Sequence, residues 1–145
     1  MIGFSHITTG ERFSTAGRTL LDGDILAFAG LSGDFNRLHM DEEFARTTPW
    51  GRRIAHGMLV ASVVTGLRSR LDDFAMLGFL ETRRAFRAPT FPGDTITAHY
   101  EVTEVRPSRS RPGTGVVTLA VRVTNQRGET VQEGTDVILV GEDTQ

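Results

Sequence analysis

A chain of 145 residues lies within the range of one domain, and 39% hydrophobic residues are enough for a core without covalent staples. Cysteine is absent, which excludes disulfides, thiol nucleophiles and cysteine-based zinc sites. The net charge of −2 offers no basic field for nucleic acid, and all 16 basic residues are arginine, which removes lysine Schiff-base chemistry and a Walker-type lysine.

Residues 11–21 read as an early strand. Residues 22–30 read as a short helix with Asp22 as N-cap and Gly30 as its stop, and 41–46 as a second, with carboxylates in the first turn where the helix dipole favours them. The stretch 54–70 is apolar on every side: Ile54, Ala55, Met58, Leu59, Val60, Ala61, Val63, Val64 and Leu67 leave no polar stripe. About 17 residues without a turn exceed an ordinary strand, so a central helix buried all round is expected. Four alternating runs follow, at 77–88, 94–105, 115–125 and 130–140, separated by Pro92-Gly93-Asp94, Arg111-Pro112-Gly113 and Asn125-Gln126-Arg127-Gly128. Short connections imply antiparallel pairing. The expected class is α+β, one domain over 1–145, with about five strands curling round one long helix. Such a sheet leaves an edge to protect, so a homodimer completes it. No run of 18 uncharged apolar residues occurs, and the chain reads as a soluble cytoplasmic protein without membrane insertion.

The densest polar segment is Ser32-Gly33-Asp34-Phe35-Asn36-Arg37-Leu38-His39-Met40-Asp41, between the two short helices. A carboxylate and an imidazole five residues apart in one loop can converge, and Asn36 can lock the turn between them. Spacing alone favours the plainer roles of turn former and cap for Asp34 and His39. The second feature is Ala55-His56-Gly57-Met58 at the head of the apolar helix. Free N–H groups at a helix N-terminus stabilise developing negative charge, and Gly57 allows close approach; His56 equally suits a cap that packs. His6 and His99 lack such company. A metal cluster from Asp34, His39, Asp41 and His56 matches no ligand spacing, so no metal is expected.

Gly33-Asp34-Phe35-Asn36-Arg37-Leu38-His39-Met40-Asp41 followed by Ile54-Ala55-His56-Gly57-Met58-Leu59 resembles the signature of the MaoC-like (R)-specific enoyl-CoA hydratases, Gly-Asp-x-Asn-Pro-x-His-x-Asp and then Ala-His-Gly-Met. Phe86-Arg87-Ala88-Pro89-Thr90-Phe91-Pro92-Gly93-Asp94 is similar to that family's strand-and-turn segment, so the resemblance spans nearly the whole chain. It implies a hot-dog fold, usually dimeric, and reversible hydration of a 2-enoyl thioester. It also implies that Asp34 and His39 are catalytic, with Asp34 as base and His39 as acid or water-orienting partner. Asn36, His56, Gly57 and Arg87 fall to substrate binding, the Gly57 N–H polarising the thioester carbonyl and Asn36 orienting the pair. No cofactor is implied; coenzyme A or acyl carrier protein enters as part of the substrate. One departure is Arg37 where the family has proline, which loosens the loop or adds a charge near the site.

Two other functions compete on this fold. A hot-dog thioesterase places a carboxylate on the central helix, and 54–70 contains neither Asp nor Glu. A non-catalytic acyl-binding partner subunit lacks the motif that Asp34 and His39 preserve. Coenzyme A carries several phosphate charges, so a basic rim is expected from Arg83, Arg84 and Arg87 or from Arg106, Arg109 and Arg111.

Overall fold

The computed structural model describes residues 1–143. Its first half is helical. Helix α1, Asp22–Ser32, opens where the Asp24 carboxylate accepts the Leu21 N–H at 2.8 Å. It ends at Gly33, whose φ of 78° is the left-handed conformation that glycine takes without penalty. The stop is therefore three residues later than expected: Gly30 keeps helical geometry, and the opening carboxylate belongs to Asp24, not Asp22. A four-residue helix α2, Arg37–Met40, occupies what spacing suggests is open loop, because the Asn36 side chain caps it. Asp41 ends α2 and caps α3, Glu42–Arg46, by accepting the Phe44 N–H at 2.9 Å.

Helix α4 is Gly57–Thr65, nine residues where about 17 are expected. The backbone before it is committed elsewhere: the Ile54 N–H bonds the Leu38 carbonyl and the Ala55 N–H the Thr90 carbonyl. Past Gly66, the Ser69 and Asp72 side chains start a separate turn at Arg70–Asp73. Nor is the helix buried all round. Leu59, Val60, Ala61, Val63 and Val64 pack inward, whereas Met58, Ser62 and Thr65 form an open stripe.

The four long strands arise where alternation predicts them: β3 Met76–Phe86, β4 Thr95–Pro107, β5 Gly115–Thr124 and β6 Thr130–Val140. The early strand is broken into β1, Arg12–Ser14, and β2, Arg18–Thr19, both paired with β4. All six are antiparallel to their neighbours, in the order β1-β4-β5-β6-β3. Ile96, Ala98, Tyr100 and Val102 of β4 and Val117, Leu119, Val121 and Val123 of β5 are buried, and with Leu59, Val60, Val63 and Val64 of α4 they form one core.

Because β3 neighbours β6 and not β4, residues 87–94 must cross the end of the sheet. That crossing runs past the head of α4 and is tied to it at Thr90. Its far end is anchored by buried Asp94. Burial works to raise the Asp94 pKa, but hydrogen bonds from Gln126 and the Phe91 N–H, with Arg127 beside them, hold it below the ordinary carboxylate range.

The inward face of β6 breaks the apolar alternation with Gln132, Gly134 and Asp136, which lie opposite Phe86, Arg84 and Thr82 of β3. A Cβ on Gly134 would collide with the Arg83 carbonyl, so only glycine permits this approach of the two strands. Arg84 and Asp136 form a buried ion pair, Nη2 to Oδ2 2.8 Å. Arg84 is thus no part of a basic rim: strand pairing turns it into the protein.

Candidate active site

The left-handed turn at Gly33 releases the chain from α1 and turns it into the loop that carries Asp34. Asp34 Oδ1 accepts the Asn36 N–H at 3.1 Å, and Asn36 Oδ1 accepts the Leu38 N–H at 3.0 Å, which starts α2 and carries His39 round toward Asp34. Asn36 thus orients the pair through the backbone, its side chain being spent on the cap. Arg37 does not face the site. It pairs with Asp41 at 2.9 Å and lies 4.3 Å over the Phe44 ring, so a side-chain clamp supplies stiffness that a proline ring would otherwise give. The Phe44 N–H and Arg37 together lower the Asp41 pKa.

His39 is 9% exposed, and its Nδ1 donates to the Ile54 carbonyl at 2.7 Å. A carbonyl can only accept, so this bond places the proton of the neutral ring on Nδ1 and leaves Nε2 as the exchanging nitrogen. Nε2 lies 3.9 Å from Asp34 Oδ2, and the Asp34 side chain is 51% exposed. The gap is too long for a direct hydrogen bond and short enough for both groups to hold one water.

His56 lies behind this pair, 2% exposed. Its ring stacks on His39 at a centroid distance of 3.8 Å and meets the Phe28 ring in an edge-to-face arrangement at a centroid distance of 5.0 Å, and its Nε2 donates to the Asp34 carbonyl at 2.9 Å. This geometry makes His56 a support for the Asp34 backbone and the His39 ring, in place of the direct substrate contact expected. Asp34, His39 and His56 bring nitrogen and oxygen atoms within 4.8 Å of one another. Stacked imidazoles do not aim two lone pairs at one point about 2.1 Å from each, so the arrangement suits a supported acid–base pair better than a shared ion.

Gly57 opens α4, with His56 as its N-cap. The first turn of a helix has N–H groups without intrahelical acceptors, and His56, whose Nε2 donates to the Asp34 carbonyl, ties this end of α4 to the Asp34 loop. A Cβ on Gly57 would stand 2.7 Å from the Phe86 ring, and the Gly57 carbonyl accepts from Gln132 Nε2 at 2.7 Å. Phe35, Met58 and Phe86, adjacent to these groups, are all more than half exposed and give the open side an apolar border.

The structure brings Asp34, Asn36, His39, His56 and Gly57 together and leaves the arginines apart. Arg87 pairs with Glu133 at 2.7 Å on the outer face of the sheet, where it lines a concavity of about 910 Å³ with Arg12, Arg83, His99 and Arg122. Arg106, Arg109 and Arg111 lie at the Met76 end of the sheet, since Pro107 is linked through Gly115 and Val140 to Met76 by register. The length of β3, roughly 33 Å at strand rise, separates that end from Phe86. Gln132, Phe86, Phe28 and Ile54 complete the site. The alternating run 130–140 contains Gln132 without singling it out, since the same face also carries Gly134 and Asp136.

Comparison with known proteins identifies the family. The model of the MaoC like domain matches residues 5–127. An (R)-specific enoyl-CoA hydratase of Aeromonas caviae is 38% identical over 115 residues, 79% of this chain and 82% of that protein. The crystal structure of a MaoC-like dehydratase from Rhodospirillum rubrum superposes with a TM-score of 0.86 at 30% identity, covering 100% of both chains. A Mycobacterium tuberculosis protein described as a double hotdog fold shares the architecture at 22% identity, TM-score 0.82, over 99% of this chain and 45% of its own. The six-stranded antiparallel sheet round α4 is a hot-dog fold, and the chain belongs to the MaoC-like family.

Proposed function

We propose that the protein catalyses the reversible (R)-specific hydration of 2-enoyl-CoA thioesters. The observation that carries this reading is the Asp34 carboxylate 3.9 Å from His39 Nε2, beside the open first turn of α4. Similarity to the Aeromonas caviae hydratase supports it.

Hydration adds hydroxide at Cβ and a proton at Cα, so one water supplies both fragments and no oxidant or reductant takes part. Asp34 accepts the proton of the water that adds to Cβ. His39 Nε2 holds that water as an acceptor, takes the released proton over from Asp34 and delivers it to Cα, so both groups end as they began. The N–H groups at the head of α4 stabilise the thioester oxygen as enolate charge develops. No metal or redox group enters these steps; coenzyme A or acyl carrier protein is the carrier portion of the substrate. No helix among the described residues is long and apolar enough to cross a membrane.

The test is turnover of crotonyl-CoA by the purified chain, followed by the loss of absorbance of the conjugated thioester. The expected product is (R)-3-hydroxybutyryl-CoA, identified by chiral chromatography. Release of free thiol without loss of the double bond indicates hydrolysis and overturns the reading, as does the (S) product.

The working form is a homodimer. Strand β3 has a paired neighbour on one side only, and Met76, Leu77, Phe79 and Leu80 along it are exposed. An eleven-residue strand with no partner on its outer side, apolar and exposed over its first half, is a template for a second copy. Sedimentation at micromolar concentration is expected to give about twice the 15.9 kDa chain mass. A single-chain mass counts against the interface.

A further inference from the structure

Gly57 is the residue on which the presentation of the α4 N–H groups turns, and glycine is the residue least able to hold its own backbone angles. Two side chains from the sheet do this for it. The Phe86 ring packs so closely on its α-carbon that no Cβ would fit, and Gln132 Nε2 holds its carbonyl at 2.7 Å. Gln132 lies on β6 opposite Phe86 on β3, so the clamp is one cross-strand pair. The Gly57 carbonyl and the Met58 N–H belong to one peptide unit. A hydrogen bond accepted at its oxygen polarises that unit and strengthens its N–H as a donor.

We propose that Gln132 is a positioning residue for the hydration reaction, fixing and polarising the first peptide of α4 so that its N–H groups meet the developing enolate oxygen. This rests on the hydratase reading above. Packing does not account for the amide. Gln132 is 2% exposed, and its Oε1 is buried without a hydrogen-bond partner, an arrangement that costs stability and that an unbranched apolar side chain would avoid. The orientation of the amide follows from chemistry, since only its NH₂ can face a carbonyl.

The experiment compares the wild-type protein with Gln132→Met and Gln132→Glu. The first removes the donor at nearly constant volume, and the second sets an oxygen against the Gly57 carbonyl. Three readouts are taken: melting temperature, kcat and KM for crotonyl-CoA, and the absorption shift of bound 2,4-hexadienoyl-CoA, which reports polarisation of the thioester carbonyl. Gln132→Met is expected to melt no lower than wild type and to lose kcat by about ten- to a hundredfold, less than the loss of a direct oxyanion donor, with KM within about threefold. The red shift of the bound dienoyl thioester should shrink in parallel. Gln132→Glu should lose at least as much kcat. A wild-type protein that neither hydrates crotonyl-CoA nor shifts the probe's spectrum refutes the hydratase reading itself. A wild-type protein that does both, with either folded variant matching it in kcat and spectral shift, overturns the role of Gln132 alone.

Discussion

Asp34→Asn and His39→Ala are each expected to lower turnover of enoyl-CoA by roughly 10²–10⁴, the usual worth of a positioned acid–base group. The loss should fall on kcat, because neither group has a partner on the substrate until a proton moves. Both folds should survive. Asp34 is half-exposed, and asparagine keeps the oxygen that accepts the Asn36 N–H. Alanine at position 39 removes the bond to the Ile54 carbonyl and the face on which His56 stacks, so this variant should be the less stable of the two. Steady-state kinetics with circular dichroism on the same samples separates the effects. A folded variant that retains near-normal kcat would remove that residue from the mechanism.

The largest stability effect should come from the buried ion pair between β3 and β6. Arg84→Met leaves Asp136 buried and unpaired, and is expected to cost about 3–5 kcal/mol. The Arg84 side chain is 5% exposed, with Nη1 donating to the Arg83 and Thr135 carbonyls and Nη2 to Asp136, which also accepts from Thr82. The field of the pair reaches the core: burial first and then the Asp136 charge push the Tyr100 pKa up to about 12, against the lowering effect of Arg84. Removing both charges tells a different story from removing one. In Arg84→Met/Asp136→Leu nothing charged stays buried, and the double variant should recover most of the loss. Denaturant unfolding at fixed protein concentration measures this, since a dimer's stability depends on concentration. If the single and double variants are equally destabilised, the ion pair does not account for the loss.

Much of the fold was legible from the chain alone, for a local reason. Strands of period two, cut by Pro-Gly and Asn-x-x-Gly turns, announce themselves within a few residues. For that reason β3 to β6 lie where alternation predicts them, and the Asp34–His39 loop is brought together by neighbours in sequence: Gly33, Asn36 and Asp41. What tertiary structure decided depends on which residues meet across long separations. Helix α4 is shorter than its apolar run because the Ala55 N–H bonds the Thr90 carbonyl on the connection that crosses from β3 to β4, a partner that periodicity cannot name. His56 becomes a buried support because the fold places the Asp34 carbonyl and the His39 ring against it. Alternation shows that Arg84 and Asp136 each share a face with their second neighbours. It does not show which face turns inward, or that β6 lies beside β3 in antiparallel register. That register makes a buried ion pair of two residues that read, one strand at a time, as surface charges, and it brings Gln132 across from Phe86 onto Gly57.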